Sequence, residues 1–71
     1  MRYYIATAYV KKFQAVRYEI NEQSLENLKE RAYTAEINDH FKIARCYYKD
    51  RKSAEEQIKR WRMHETYYFD F

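Results

Sequence analysis

The 71 residues carry 14 Lys plus Arg against 11 Asp plus Glu, a net charge of +3, with one Cys, nine Tyr and neither Gly nor Pro. The missing glycines exclude the P-loop, the dinucleotide-binding fingerprint, the nucleophile elbow and the EF-hand loop, each of which needs Gly at a fixed offset. The Gly-bearing RNA motifs fall with them. A chain this short supports one compact domain, residues 1–71, and its lone thiol, Cys46, excludes an intrachain disulfide.

Residues 3–9 (YYIATAY) are β-branched and aromatic, with apolar residues in both phases, as in a strand covered on both sides. Residues 13–20 alternate: Val16, Tyr18 and Ile20 on one face, Arg17 and Glu19 on the other. The two stretches read as a hairpin, with Val10-Lys11-Lys12 turning the chain through a type I turn and a bulge, since no Gly is there for a type I′ turn. A helix competes over the same residues, because Ile5, Tyr9, Phe13, Val16 and Ile20 also lie at helical spacing.

Next comes a predicted helix, capped by Asn21 or Ser24, with Glu22 and Glu26 at its positive end and a stripe of Leu25, Leu28, Ala32 and Ala35. Asn38-Asp39-His40 tolerates the left-handed backbone that ends a helix when Gly is missing. Residues 41–48 (FKIARCYY) read as a strand. Ser53-Ala-Glu-Glu56 is a capping box opening a second helix, whose inner side is Ala54, Ile58 and Trp61. Residues 66–71 alternate Tyr67, Phe69 and Phe71 with Tyr68 and Asp70, a last strand. The expected fold is α+β and two-layered: an antiparallel-rich sheet of about four strands with two helices on one face, in the order β-β-α-β-α-β.

Charge is segregated: +4 over residues 1–18, −4 over 19–41, +5 over 42–62 and −2 over the last nine. For catalysis the sequence offers only His40, His64 and Cys46 as imidazole and thiol groups, a poor set for a nucleophile pair or a zinc site. Glu55 and Glu56 are explained by the dipole of the helix they open. No enzyme, metal or cofactor is therefore expected. No stretch approaches the ~20 apolar residues of a spanning helix, and residues 1–13 lack the apolar core of a signal peptide, so a cytoplasmic location without membrane contact is expected.

Binding residues are easier to nominate. Adjacent residues on a strand point to opposite faces, so each of the pairs Tyr3/Tyr4, Tyr47/Tyr48 and Tyr67/Tyr68 sends one ring away from the helices. Tyr4, Tyr48 and Tyr68 are the candidates, with Lys49, Arg51, Lys52, Lys59, Arg60 and Arg62 as a companion basic set. Tyrosine and arginine are enriched at the centres of protein interfaces, and rings on an open sheet also stack bases.

In layout, the small Tyr-rich α+β chain with segregated charge and no catalytic set resembles the small proteins encoded by bacteriophages, the anti-CRISPR and other host-takeover inhibitors among them. The resemblance covers the whole chain without a shared motif, so it assigns no residue a role. It implies a non-enzymatic inhibitor or modulator in the host cytoplasm that occludes a surface of a larger, nucleic-acid-handling protein. Two further readings stay open: a nucleic-acid-binding accessory protein using the basic residues of 49–62, and a structural homodimer.

Overall fold

The structure, a computed structural model, describes residues 1–26, 28 and 32–69. The stretch expected to be covered on both sides becomes β1 (Arg2–Lys11), an inner strand of a four-stranded antiparallel sheet. It is flanked by β2 (Arg17–Ser24) and β4 (Phe41–Tyr48), and β3 (Tyr33–Ile37) closes the order β2-β1-β4-β3. Two helices follow, α1 (Arg51–Met63) and the short α2 (Glu65–Tyr68). The α+β class, the four-stranded antiparallel sheet and the two helices match expectation, and residues 3–20 form the hairpin rather than the rival helix.

The element order is corrected to β-β-β-β-α-α. Residues 21–24 do not cap a helix: they extend β2, where Asn21–Ser24 pair with Ile5–Arg2. Ala35 belongs to β3, opposite Ala44. The Leu25-Leu28-Ala32 stripe serves a crossover from one edge of the sheet to the other, three strand spacings or about 14 Å. Leu25 N–H donates to the Met1 carbonyl (2.9 Å), Tyr3 Oη to the Leu28 carbonyl (3.2 Å), and Tyr47 N–H to the Ala32 carbonyl (3.0 Å). These bonds hold Leu25 at the start of β1, Leu28 at the Tyr3 hydroxyl and Ala32 beside Tyr47 of β4. Tyr3 and Ile5, on the face of β1 away from the helices, are buried.

Turns are also relocated. The first hairpin turns at Lys11–Gln14, closed by Gln14 N–H on the Lys11 carbonyl (3.1 Å), with Phe13 at φ 64°. A positive φ at the third turn residue is the type II pattern, in place of the expected type I turn and bulge. Asn38-Asp39-His40 joins β3 to β4 instead of ending a helix; the Asn38 side-chain oxygen accepts from the N–H of His40 (2.7 Å) and Phe41 (2.9 Å).

α1 starts earlier than the capping box implied. Asp50 is its N-cap, accepting from Ser53 N–H (2.8 Å) and Ser53 Oγ (2.9 Å). On the sheet beneath, Ala6, Ala8 and Ala44 are almost fully buried and meet Ala54 from the helix. Four small side chains let the helix approach closely, and Trp61 spreads over the alanine floor. Its ring stacks on Tyr18 (centroids 6.4 Å, 19° between planes) and meets Phe69 at 5.8 Å. The expected last strand is the other correction: residues 65–68 form α2, which stays on the helix face because Glu65 accepts the Tyr18 hydroxyl (2.5 Å) and Phe69 caps Trp61. Asp70 and Phe71 lie outside the described residues.

Candidate functional site

The six cations expected to act together are divided by the helix they ride on. Lys49 sits in the turn before α1, and Arg51 is held by Glu55 at 3.1 Å. At 100° per residue, Lys52 and Lys59 lie on the outer crest of α1 while Arg60 and Arg62 fall on opposite flanks. Arg60 donates to Gln57 Oε1 (2.7 Å), which also accepts the Tyr48 hydroxyl (2.9 Å), on the β4 side. Arg62 lies over the Tyr18 ring at 5.1 Å, on the β2 side. They form a ridge and two flanks, with Glu55 and Glu56 among them, rather than one basic patch.

Two of the three tyrosine pairs split between the faces of the sheet, in the sense opposite to that expected, and the third lies on α2. Tyr4 and Tyr48 lie on the helix side, half-buried against the core, and Tyr3 and Tyr47 face away. Tyr3 is buried with its hydroxyl on the Leu28 carbonyl, and Tyr47 Oη sits 3.3 Å from Thr34 Oγ1. Tyr68 lies on α2, its ring edge-on to Tyr67 at 5.1 Å, and both are exposed. Burial raises the Cys46 thiol above its ordinary value, so the thiolate is scarce at neutral pH. Burial likewise raises the neighbouring Tyr48 hydroxyl.

Basic and aromatic residues meet instead at the hairpin end of the sheet. There an open cleft of about 320 Å³ has Tyr9, Phe41 and Ile43 among its apolar walls and Lys11, Arg17 and Lys42 among its polar ones. The Arg17 guanidinium lies 5.1 Å from the Tyr9 ring centre. Glu19 accepts a hydrogen bond from the Tyr9 hydroxyl, the main reason that hydroxyl is raised above its ordinary value. Beside the cleft the turn carries Phe13, 97% exposed, with Lys12 Nζ 5.6 Å from its ring centre. Lys12 N–H donates to the His40 carbonyl (3.3 Å), so the two hairpin turns brace each other.

Neither Phe13 nor this cleft stood out in the sequence. Phe13 read as the first residue of an alternating strand, and the Lys11-Lys12 pair as a device for turning without Gly. Their shared signal was the tripeptide Lys-Lys-Phe at a predicted turn, a place where a large apolar residue has no core to fill.

Comparison with protein-family models, curated proteins and solved structures returns no match for this chain.

Proposed function

We propose that this is a small non-enzymatic binding protein that acts by laying a preformed surface against an acidic face of a larger protein, with Phe13 as its anchor. One observation carries the reading. A non-glycine residue at φ 64° costs about 1–2 kcal/mol relative to ordinary backbone, and here the cost falls on a Phe that buries nothing within its own chain. Gly or Asn would suit the turn better. Strain of this kind is typical of sites kept for contact.

The surroundings supply the partner's chemistry. Lys12 lies against the anchor ring and Lys11, Arg17 and Lys42 line the cleft beside it, against the carboxylates of Glu19 at Tyr9 and Asp39 in the adjoining turn. Such a field draws in a negatively charged surface and orients it, while the exposed ring needs an apolar pocket to enter. The braced turns limit the ordering cost on binding. On a nucleic-acid-handling host protein, the target implied by the phage-type resemblance, such a field selects an acidic protein-contact face rather than the phosphate-binding groove, whose own positive charge repels these cations. The same cations and the Tyr9 and Phe41 rings favour nucleic acid as the second reading.

Capture from nuclease-treated bacterial lysate on immobilised protein tests both readings. The expected result is one partner held equally by wild type and by the exposed control Met63→Ala, and weakened about 30-fold or more by Phe13→Ala, as for an interface hot spot. Equal capture by Phe13→Ala overturns the anchor. Loss of all capture after nuclease, with binding of single-stranded DNA that falls steeply with salt, transfers the function to the second reading.

A further inference from the structure

We propose that β3 is a self-pairing edge: two copies of the chain join antiparallel strands Tyr33–Ile37 about a two-fold axis at Ala35, making one eight-stranded sheet. This surface is separate from the hairpin end and does not depend on the function proposed above.

Backbone parity comes first. β3 ends the sheet, and among the described residues its pairing partner is β4 alone. Tyr47 N–H bonds the Ala32 carbonyl and Asn38 N–H bonds the Phe41 carbonyl, so even-numbered residues turn their backbone groups toward β4. The alternation of a strand then directs the N–H and C=O of Tyr33, Ala35 and Ile37 outward. With the axis at Ala35, Tyr33 faces Ile37 of the second copy, Ala35 faces Ala35, and Ile37 faces Tyr33. Every facing position is then one whose backbone groups point outward on both chains. Two hydrogen bonds per facing pair satisfy all three residues of each edge.

The side chains agree with that register. Tyr33, Ala35 and Ile37 share the helix side of the sheet, since Tyr33 and Ala35 lie opposite Cys46 and Ala44 of the core. Yet α1 packs over β1, β4 and β2 and makes no contact with β3. Tyr33 and Ile37 are left 61% and 71% exposed. Self-pairing sets each tyrosine ring against an isoleucine, a favourable cross-strand pair, with the small Ala35 residues at the axis. On the other face Glu36 meets Thr34 of the second copy, so no like charges oppose, and Glu36 is already neutralised by Arg45 at 3.1 Å.

Edges are ordinarily protected by Lys, Pro or a bulge, and β3 (YTAEI) has none of these. β2, at the other edge, carries Arg17, Glu19 and Glu22 and is the more heavily charged strand. A second copy is therefore the occupant that β3 fits by register, by face and by charge. The two-fold axis points the two Phe13 tips to opposite ends of the joined sheet, leaving both exposed.

Sedimentation of the full chain up to about 300 µM, a range that reaches the weak end of specific interfaces, gives the mass. The expected result is a rise from 9.0 kDa to twice that value. The double variant Tyr33→Lys/Ile37→Lys, which sets lysine against lysine, should stay monomeric with an unchanged circular dichroism spectrum. In a Cys46→Ala background, Ala35→Cys should oxidise to a covalent dimer about tenfold faster than Thr34→Cys, because hydrogen-bonded partners lie about 5.5 Å apart, within disulfide reach. A mass of 9.0 kDa throughout, a folded lysine variant that still dimerises, or equal cross-linking at the two positions overturns the proposal.

Discussion

At the scale of single residues, special backbone positions are taken by side chains in a chain without glycine. Asn38 turns β3 into β4 with its own amide oxygen, and Phe13 accepts the left-handed region outright. The first was legible only as a break in the chain at Asn38: the expected left-handed backbone is not there, and the side-chain oxygen closes the turn instead. Phe13 was not, since nothing in its chemistry favours a positive φ and only tertiary structure imposes it. Asp50 was hidden by a better-looking signal: Ser53 with Glu56 satisfies the capping pattern, but Asp50 one turn earlier holds the Ser53 N–H and hydroxyl. Those bonds, the backbone one foremost, hold the Asp50 carboxyl below its ordinary 3.8. A lowered folded-state value contributes stability above the unfolded value and loses it as pH falls through the folded one. Asp50→Asn is therefore expected to flatten the fall in Tm below pH 3.8 relative to wild type, read by thermal melts in acid. An acid limb that is unchanged removes Asp50 from it.

Among the elements, those whose pattern was strict formed as expected, and those decided by pairing did not. The hairpin of β1 and β2, the strand β4 and the helix α1 follow from alternation, β-branched content and the Ala54-Ile58-Trp61 spacing. The Leu25-Leu28-Ala32-Ala35 stripe is equally regular, and here propensity lost. Extending β2 to Ser24 satisfies the start of β1, and β3 gives β4 a second neighbour, contacts no local pattern records. The tail was misread for a related reason: a strand needs a place in the sheet, whereas Trp61 offers Phe69 an immediate apolar surface. Trp61 is the one large side chain within the buried helix-side cluster, where the others are alanines. Replacing a buried Trp by Ala costs about 3–5 kcal/mol, comparable with the roughly 4–10 kcal/mol available to a domain of this size. Trp61→Ala should keep only a fraction of the stability, with a Tm far below that of wild type by circular dichroism, and Trp61→Phe should be folded with a Tm between the two. A cooperative, near-native melt for Trp61→Ala would mean that the alanine floor and Phe69 hold α1 without it.

For the whole molecule, the sequence showed charge in blocks, and the fold gives those blocks different surroundings. Lys11, Lys12 and Arg17 of the basic start gather at the hairpin end beside Lys42, while Arg2 pairs with Glu22 at the other end of β1; the basic later stretch is spread around α1 and partly tied to Glu55, Gln57 and Tyr18. Linear spacing could not reveal this, because it depends on which helix face meets the sheet. The layer between helix and sheet also joins Cys46, Tyr48 and Tyr18, separated by up to 30 positions in the chain. All three are raised above their ordinary values of 9.0 and 10.0, first by burial. Tyr18 is raised further by donating to Glu65. A folded-state value above the unfolded one means the native layer keeps protons that the unfolded chain releases. Stability from these groups is therefore intact below pH 9.0 and lost as pH rises through the folded values. Tm should stay level through neutral pH and fall beyond pH 9.0, with the tyrosinate absorbance appearing together with unfolding rather than ahead of it. Cys46→Ala combined with Tyr48→Phe removes two of the three protons of this layer and should flatten that limb, leaving the part owed to Tyr18 and, at the hairpin end, to Tyr9. An alkaline limb of unchanged slope in the double variant would place the sensitivity outside the helix–sheet layer.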